Sequence, residues 1–256
     1  VVVESPPARP VIFDLGTGLR FYGLDQPEHA TFSGVALVSH LHWDHVQGLP
    51  FFPPVLRPGA HLDIYGPRPD DGQSLAEAFR TFLAPPFFPV EIEALPGTFT
   101  FTEVTDGAFD LDGYRVTVAS VPHVGPTVGY RLERDGVSVA YVSDHQQPGC
   151  FATDVAPQVI ELCRDVDLLI HDAQYTDDEF MARHDWGHCT VDYAVEVAAR
   201  SGARCLALFH HDPLHHDGMI DDLVRLAAKT GAARGVPEVV AASEGLVLSL
   251  GSRRCR

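Results

Sequence analysis

Val35-Ala36-Leu37-Val38-Ser39-His40-Leu41-His42-Trp43-Asp44-His45 is the stretch from which the rest of the chain is read. Four apolar residues with the pattern of a buried strand give way to a short run that holds three histidines and an aspartate. A loop leaving a strand can turn alternate side chains toward one point, and imidazole with carboxylate is the donor chemistry of zinc-like ions. The spacing therefore predicts a metal site just beyond a strand at Val35–Ser39. A merely solvated polar loop would not need so many imidazoles behind a buried strand.

Composition supports that reading. The 256 residues include 14 histidines, and a second cluster, His210, His211, His215 and His216, lies far along the chain. Histidine is the commonest metal ligand and acid–base group near neutral pH. Hydrophobic residues at 45% and charged residues at 21% suffice for a packed core. The 35 acidic against 18 basic residues leave a net charge of −17, a surface that repels phosphate polymers and speaks against a nucleic-acid-coating role. No apolar run reaches the ~18 residues of a membrane span, and the opening VVVESPPARP has no signal-peptide core. It has no starting Met either, so an N-terminal strand is expected to be missing. Five cysteines (Cys150, Cys163, Cys189, Cys205 and Cys255) without CxxC spacing read as reduced thiols in a cytoplasmic protein.

Short apolar runs alternate with helical patterns, which predicts an α/β architecture in a single domain, residues 1–256. Strands are expected at Val11–Asp14, Val35–Ser39, Phe99–Val104, Arg115–Val121, Gly129–Glu133, Val137–Val142, Leu168–Ile170, Cys205–Phe209 and Leu246–Leu250. Asp135-Gly136 predicts a tight hairpin. Apolar stripes predict helices at Val191–Arg200, closed by Gly202, and at about Asp221 to Thr230. Residues 51–90, rich in Pro and Phe around a short helix at Leu75–Leu83, read as an insertion near the site. Its Phe51, Phe52, Phe87 and Phe88 would form a satellite core or line a pocket.

Beyond the first motif, Val121-Pro122-His123, Val142-Ser143-Asp144 and Phe209-His210-His211 each place a potential ligand after an apolar run. This ordered series resembles the metallo-β-lactamase-fold hydrolases along most of the chain, and the resemblance implies a four-layer αββα sandwich. It assigns His40, His42 and His123 to one metal, Asp44, His45 and His210 to a second, and Asp144 as a bridge. Two divalent transition ions are implied, zinc foremost, with manganese or iron as alternatives, and a hydroxide between them as attacking group. Strand alternation would turn His211 away from His210. Asp14, in Phe13-Asp14-Leu15-Gly16, matches the family's early turn and would prop the metal loop.

Trp186-Gly187-His188-Cys189-Thr190 looks like the GHST motif of ribonuclease Z and related phosphodiesterases, with Cys where Ser is usual. The likeness makes His188 a general acid for the leaving oxygen and Asp172 the residue that orients it; Asp44 completes the catalytic set. Trp43 stands where ribonuclease Z has Gly, and with His211 and Thr127 it is a possible substrate contact. The expected activity is hydrolysis of small phosphodiesters such as cyclic nucleotides. The alternatives are a ribonuclease Z-like RNA endonuclease, a carboxyl-ester, lactone or thioester hydrolase on the same metals, or a non-enzymatic scaffold. The negative charge and lack of a basic arm argue against tRNA as partner. No membrane partner is expected, and a homodimer stays open.

Overall fold

The computed structural model describes residues 1–28 and 30–251, so Cys255 lies outside the described residues. Cys150, Cys163, Cys189 and Cys205 are free thiols. Among the described residues no helix is long and apolar enough to cross a membrane. The chain separates into two compact units, Val1–Thr105 and Asp106–Arg256, each a sheet with its own helices.

The first unit carries a five-stranded sheet in chain order: β1 (Val2–Val3), β2 (Val11–Phe13), β3 (Ser33–Leu37), β4 (His61–Pro67) and β5 (Thr98–Val104). β1 is antiparallel to β2, and the other neighbours are parallel. Parallel pairing demands crossovers, and these carry α1 (Leu19–Asp25), α2 (Trp43–Val46) and α3 (Leu75–Phe82). Central parallel strands read as continuous apolar runs, and β2 and the last four residues of β3 are buried accordingly. Their core includes Leu15, Val46, Leu49, Phe52, Leu75 and Phe79.

Residues 51–90 are not an insertion, because β4 pairs with both β3 and β5. Of the prolines that suggested irregular structure, Pro53 and Pro54 sit in a short 3-10 turn before β4, Pro67 ends β4, and Pro85, Pro86 and Pro89 follow α3. The aromatics divide. Phe52 is buried edge-on against Phe32 at 4.9 Å, Phe88 packs partly on the core, and Phe51 and Phe87 are exposed.

The second unit carries a seven-stranded sheet in the order β12-β11-β10-β9-β8-β7-β6. β6 (Gly107–Leu111), β7 (Tyr114–Ser120), β8 (Val128–Arg134) and β9 (Val137–Val142) form an antiparallel meander. Asp135 and Gly136 both take positive φ, 51° and 77°, the geometry of the tight turn that their pairing predicts. β10 (Leu168–Asp172), β11 (Cys205–Phe209) and β12 (Glu238–Ala241) then continue the sheet in parallel. Crossovers contain α4 (Pro157–Leu162), α5 (Asp177–Arg183), α6 (Val191–Ser201) and α7 (Asp217–Ala233).

α6 starts at Thr190, whose hydroxyl accepts from Tyr193 N, and ends at Gly202 in the left-handed region. α7 begins earlier than its apolar stripe indicates, because His216 Nδ1 accepts from Met219 N at 3.2 Å, an N-cap from a residue type outside the usual set. The expected strand Leu246–Leu250 does not form. The edge is taken by β12, which follows α7 directly and registers with β11, leaving Leu246 and Val247 exposed.

The loop after β2 is stitched to α2. Leu15 N donates to His45 O and Gly48 N to Leu15 O, each at 2.7 Å. A Cβ on Gly48 would run into the Gly16 and Leu15 carbonyl oxygens. Gly48→Ala is expected to cost about 1–3 kcal/mol through overpacking, read as a drop of several degrees in Tm by calorimetry. An unchanged Tm would show that the loop can retreat.

Candidate metal centre

In the first unit the donors sit on the segment leaving β3 and are organised by one buried carboxylate. Asp14, at φ 57° just after β2, accepts Ser39 N at 2.6 Å on Oδ1. Its Oδ2 accepts Ser39 Oγ at 2.9 Å and His45 Nδ1 at 2.7 Å. Burial pushes the Asp14 carboxyl up, but His45, His40 and the Ser39 N–H together hold it below its ordinary value. With Nδ1 donated to Asp14, His45 has its lone pair at Nε2, 3.2 Å from Asp44 Oδ2. His40 Nδ1 lies 3.0 Å from Ser39 Oγ, and its Nε2 lies 2.9 Å from His42 Nδ1.

In the second unit, adjacent parallel strands end along one edge, which brings Asp144 beyond β9, Asp172 at the end of β10 and His210 beyond β11 side by side. Buried Asp144 Oδ1 faces three imidazoles, His210 Nε2 at 3.5 Å, His188 Nδ1 at 3.6 Å and His123 Nε2 at 3.9 Å. Asp144, His188 and His210 form a group of donors close enough to hold one ion. Donor atoms on a tetrahedral ion with bonds of ~2.0–2.1 Å stand about 3.3–3.4 Å apart. The separations of His45 from Asp44 and of Asp144 from His210 fit that edge, so these residues suit a zinc-like ion.

The supports of the ligands fit as well, since a metal-bound histidine normally donates its other N–H to an oxygen. His123 Nδ1 donates to Gly187 O at 2.6 Å. Gly187 is at φ 96°, and a Cβ there would strike the His123 ring; Gln146 Oε1 accepts its N–H at 2.8 Å.

Asp172 is the hub beneath His188. Its Oδ2 accepts His188 Nδ1 at 3.1 Å and His145 N at 3.0 Å, while Oδ1 accepts Gln174 N at 3.0 Å. This holds His188 in one tautomer, its Nδ1 donating and its Nε2 turned outward. Cys189 Sγ donates to Asp172 O at 3.1 Å, and burial, with the Asp172 and Asp144 charges, raises its thiol well above the ordinary value. Fully buried His171 donates Nδ1 to Asp172 O at 2.7 Å, so its Nε2 accepts from His145 Nδ1 at 3.0 Å. Burial lowers the pKa of both imidazoles.

The remaining positions named from sequence fall differently. His210 leaves strand geometry at φ 54°, so a left-handed turn, and not strand alternation, separates it from His211. The latter donates Nε2 to Ala242 O at 3.2 Å. Thr127 is buried and its hydroxyl is used by Gly125 O at 3.3 Å. Trp43, the first residue of α2, is 69% exposed.

Gln174 escaped the sequence reading. Its amide lies 3.2 Å from His210 Nδ1, with Nε2 toward the ring, while its buried Oε1 has no hydrogen-bond partner among the described residues. Turning the amide over places Oε1 on a protonated Nδ1, the tautomer in which Nε2 can bind an ion. Its one legible signal was position, two residues beyond Asp172 at the same strand end. Gln174→Leu is expected to weaken metal binding about 10–100-fold, measured by competition with a chromogenic chelator; an unchanged affinity would remove Gln174 from this role.

Comparison with known proteins places the chain in a family. Residues 11–211 match the family described as the beta-lactamase superfamily domain. The ribonuclease Z of Kineococcus radiotolerans is 30% identical, over 87% of this chain and 79% of its own length. Among solved structures, the metallo-beta-lactamase fold protein YhfI from Bacillus subtilis aligns with a TM-score of 0.70 at 18% identity, covering 96% of this chain and 88% of that one. The short form of human tRNase Z aligns with a TM-score of 0.67 at 21% identity, covering 98% and 91%. The chain belongs to the metallo-β-lactamase-fold hydrolase superfamily, in its ribonuclease Z-like branch.

Proposed function

We propose that this hydrolase cleaves phosphodiesters with two divalent transition ions, zinc foremost, held by His40, His42, Asp44, His45, His123, Asp144 and His210. When bound, the ions supply Lewis acidity and lower the pKa of water. Every other part of the reaction falls to the chain's own side chains. Asp14, Gly187 O and Gln174 orient the ligand histidines. His188, its Nδ1 held by Asp172, presents Nε2 to the leaving oxygen and delivers the proton that an alkoxide leaving group requires.

The His188–Asp172 pair beside Asp144 carries this reading, because a lactone or thioester hydrolase has no need of a positioned acid there. Two substrate classes remain, each with its own support. Similarity to ribonuclease Z favours RNA and removes the ground for setting tRNA aside. The net charge of −17 favours a small phosphodiester.

Metal-loaded protein should be assayed against a tRNA precursor, a cyclic mononucleotide, bis-p-nitrophenyl phosphate and a lactone. Turnover of any phosphodiester supports the proposal, and precursor cleavage with salt-sensitive binding selects RNA. Turnover of the lactone alone overturns it.

A further inference from the structure

Arg183 closes α5, and its guanidinium makes no hydrogen bond or ion pair among the described residues. Arg115, Arg134, Arg164, Arg204, Arg225 and Arg234 are each paired with a carboxylate instead. The Arg183 guanidinium stacks on two aromatic faces, 5.4 Å from the Tyr175 ring centroid and 5.7 Å from that of Trp186. Stacking uses the faces of the guanidinium and leaves its N–H edges for a planar or tetrahedral anion.

Trp186 is 61% exposed and is turned back toward α5 by its own N–H, which donates to Arg183 O at 3.0 Å. The pair adjoins the reacting groups. Tyr175 meets His188 edge-on at 5.9 Å, so one ring separates Arg183 from the acid. Trp186 immediately precedes Gly187, whose carbonyl holds His123. A guanidinium stacked on an indole that is left in water matches a phosphate and its base.

We propose that Arg183 and Trp186 form a nucleotide subsite beside His188, with the indole stacking on a nucleobase and the guanidinium binding the adjacent phosphate. The proposal rests on the phosphodiester reading and adds to it two residues that would set specificity for the base.

The test uses the full metal-loaded chain beside Trp186→Phe, whose remaining Trp43 signal is subtracted so that Trp186 fluorescence is followed. AMP should quench it saturably, while adenosine and ribose 5-phosphate bind at least tenfold more weakly. Arg183→Ala should weaken AMP binding at least tenfold. In kinetics, the preference for a nucleoside p-nitrophenyl phosphate over methyl p-nitrophenyl phosphate should fall about 5- to 100-fold in Trp186→Ala, the usual worth of one stacked base. That loss should lie in KM, and Trp186→Phe should recover most of it. Absence of quenching at millimolar AMP, or equal losses on both esters, would overturn the subsite. Wild-type protein that quenches with AMP yet hydrolyses neither ester would support the subsite and overturn the phosphodiesterase reading instead.

Discussion

Asp144→Ala is expected to strip at least one ion from the protein and to lower phosphodiester turnover by more than the ~10–100-fold that changes to supporting residues cause. Asp144 is buried and its Oδ1 faces His123, His188 and His210 within 3.9 Å. If it bridges two ions, its loss removes a ligand from both. Without it, three imidazoles surround a site that has lost its negative charge, and a divalent cation is poorly compensated there. The measurement is metal content by elemental analysis beside kcat/KM, with circular dichroism to verify folding. A folded variant that keeps full metal content and turnover would dismiss Asp144 as a ligand.

His188→Ala has the second largest expected effect. Turnover of an unactivated cyclic nucleotide should fall ~10²–10⁴-fold, the usual worth of a general acid. Bis-p-nitrophenyl phosphate, whose nitrophenolate leaves without help, should be affected much less, and metal content should not change. Equal losses on both substrates would show that His188 does not deliver the proton. Metal loss would make it a ligand, since it lies among the same donors as Asp144 and His210. Asp172→Asn separates orientation from acidity less cleanly, because both carboxylate oxygens already accept N–H groups. An amide can replace only one of them, so a lower Tm is expected with the lower rate.

The central strands and their donors were legible because both signals are local. Val35–Val38 is an apolar run that only a buried strand explains, and His40, His42, Asp44 and His45 follow it within one turn of chain. The His188–Asp172 pair was legible through a family likeness in Trp186-Gly187-His188 rather than through spacing. What stayed hidden depends on partners distant in sequence. β4 is flanked by prolines and shows itself as a strand only between β3 and β5. Leu246–Leu250 has a strand's composition, yet the place beside β11 belongs to β12. Gln174 and the Gly187 carbonyl act on histidines 36 and 64 residues away, and no local pattern marks an amide or a carbonyl as a tautomer lock.

The central claim, that bound transition ions and these donors hydrolyse phosphodiesters, is tested most directly by stripping the protein with chelator and restoring zinc or manganese stepwise while following bis-p-nitrophenyl phosphate. Turnover should be absent from the stripped protein and rise with metal until close to two ions are bound per chain. Turnover that is indifferent to the chelator, or a protein that binds no transition metal under any loading condition, would contradict it.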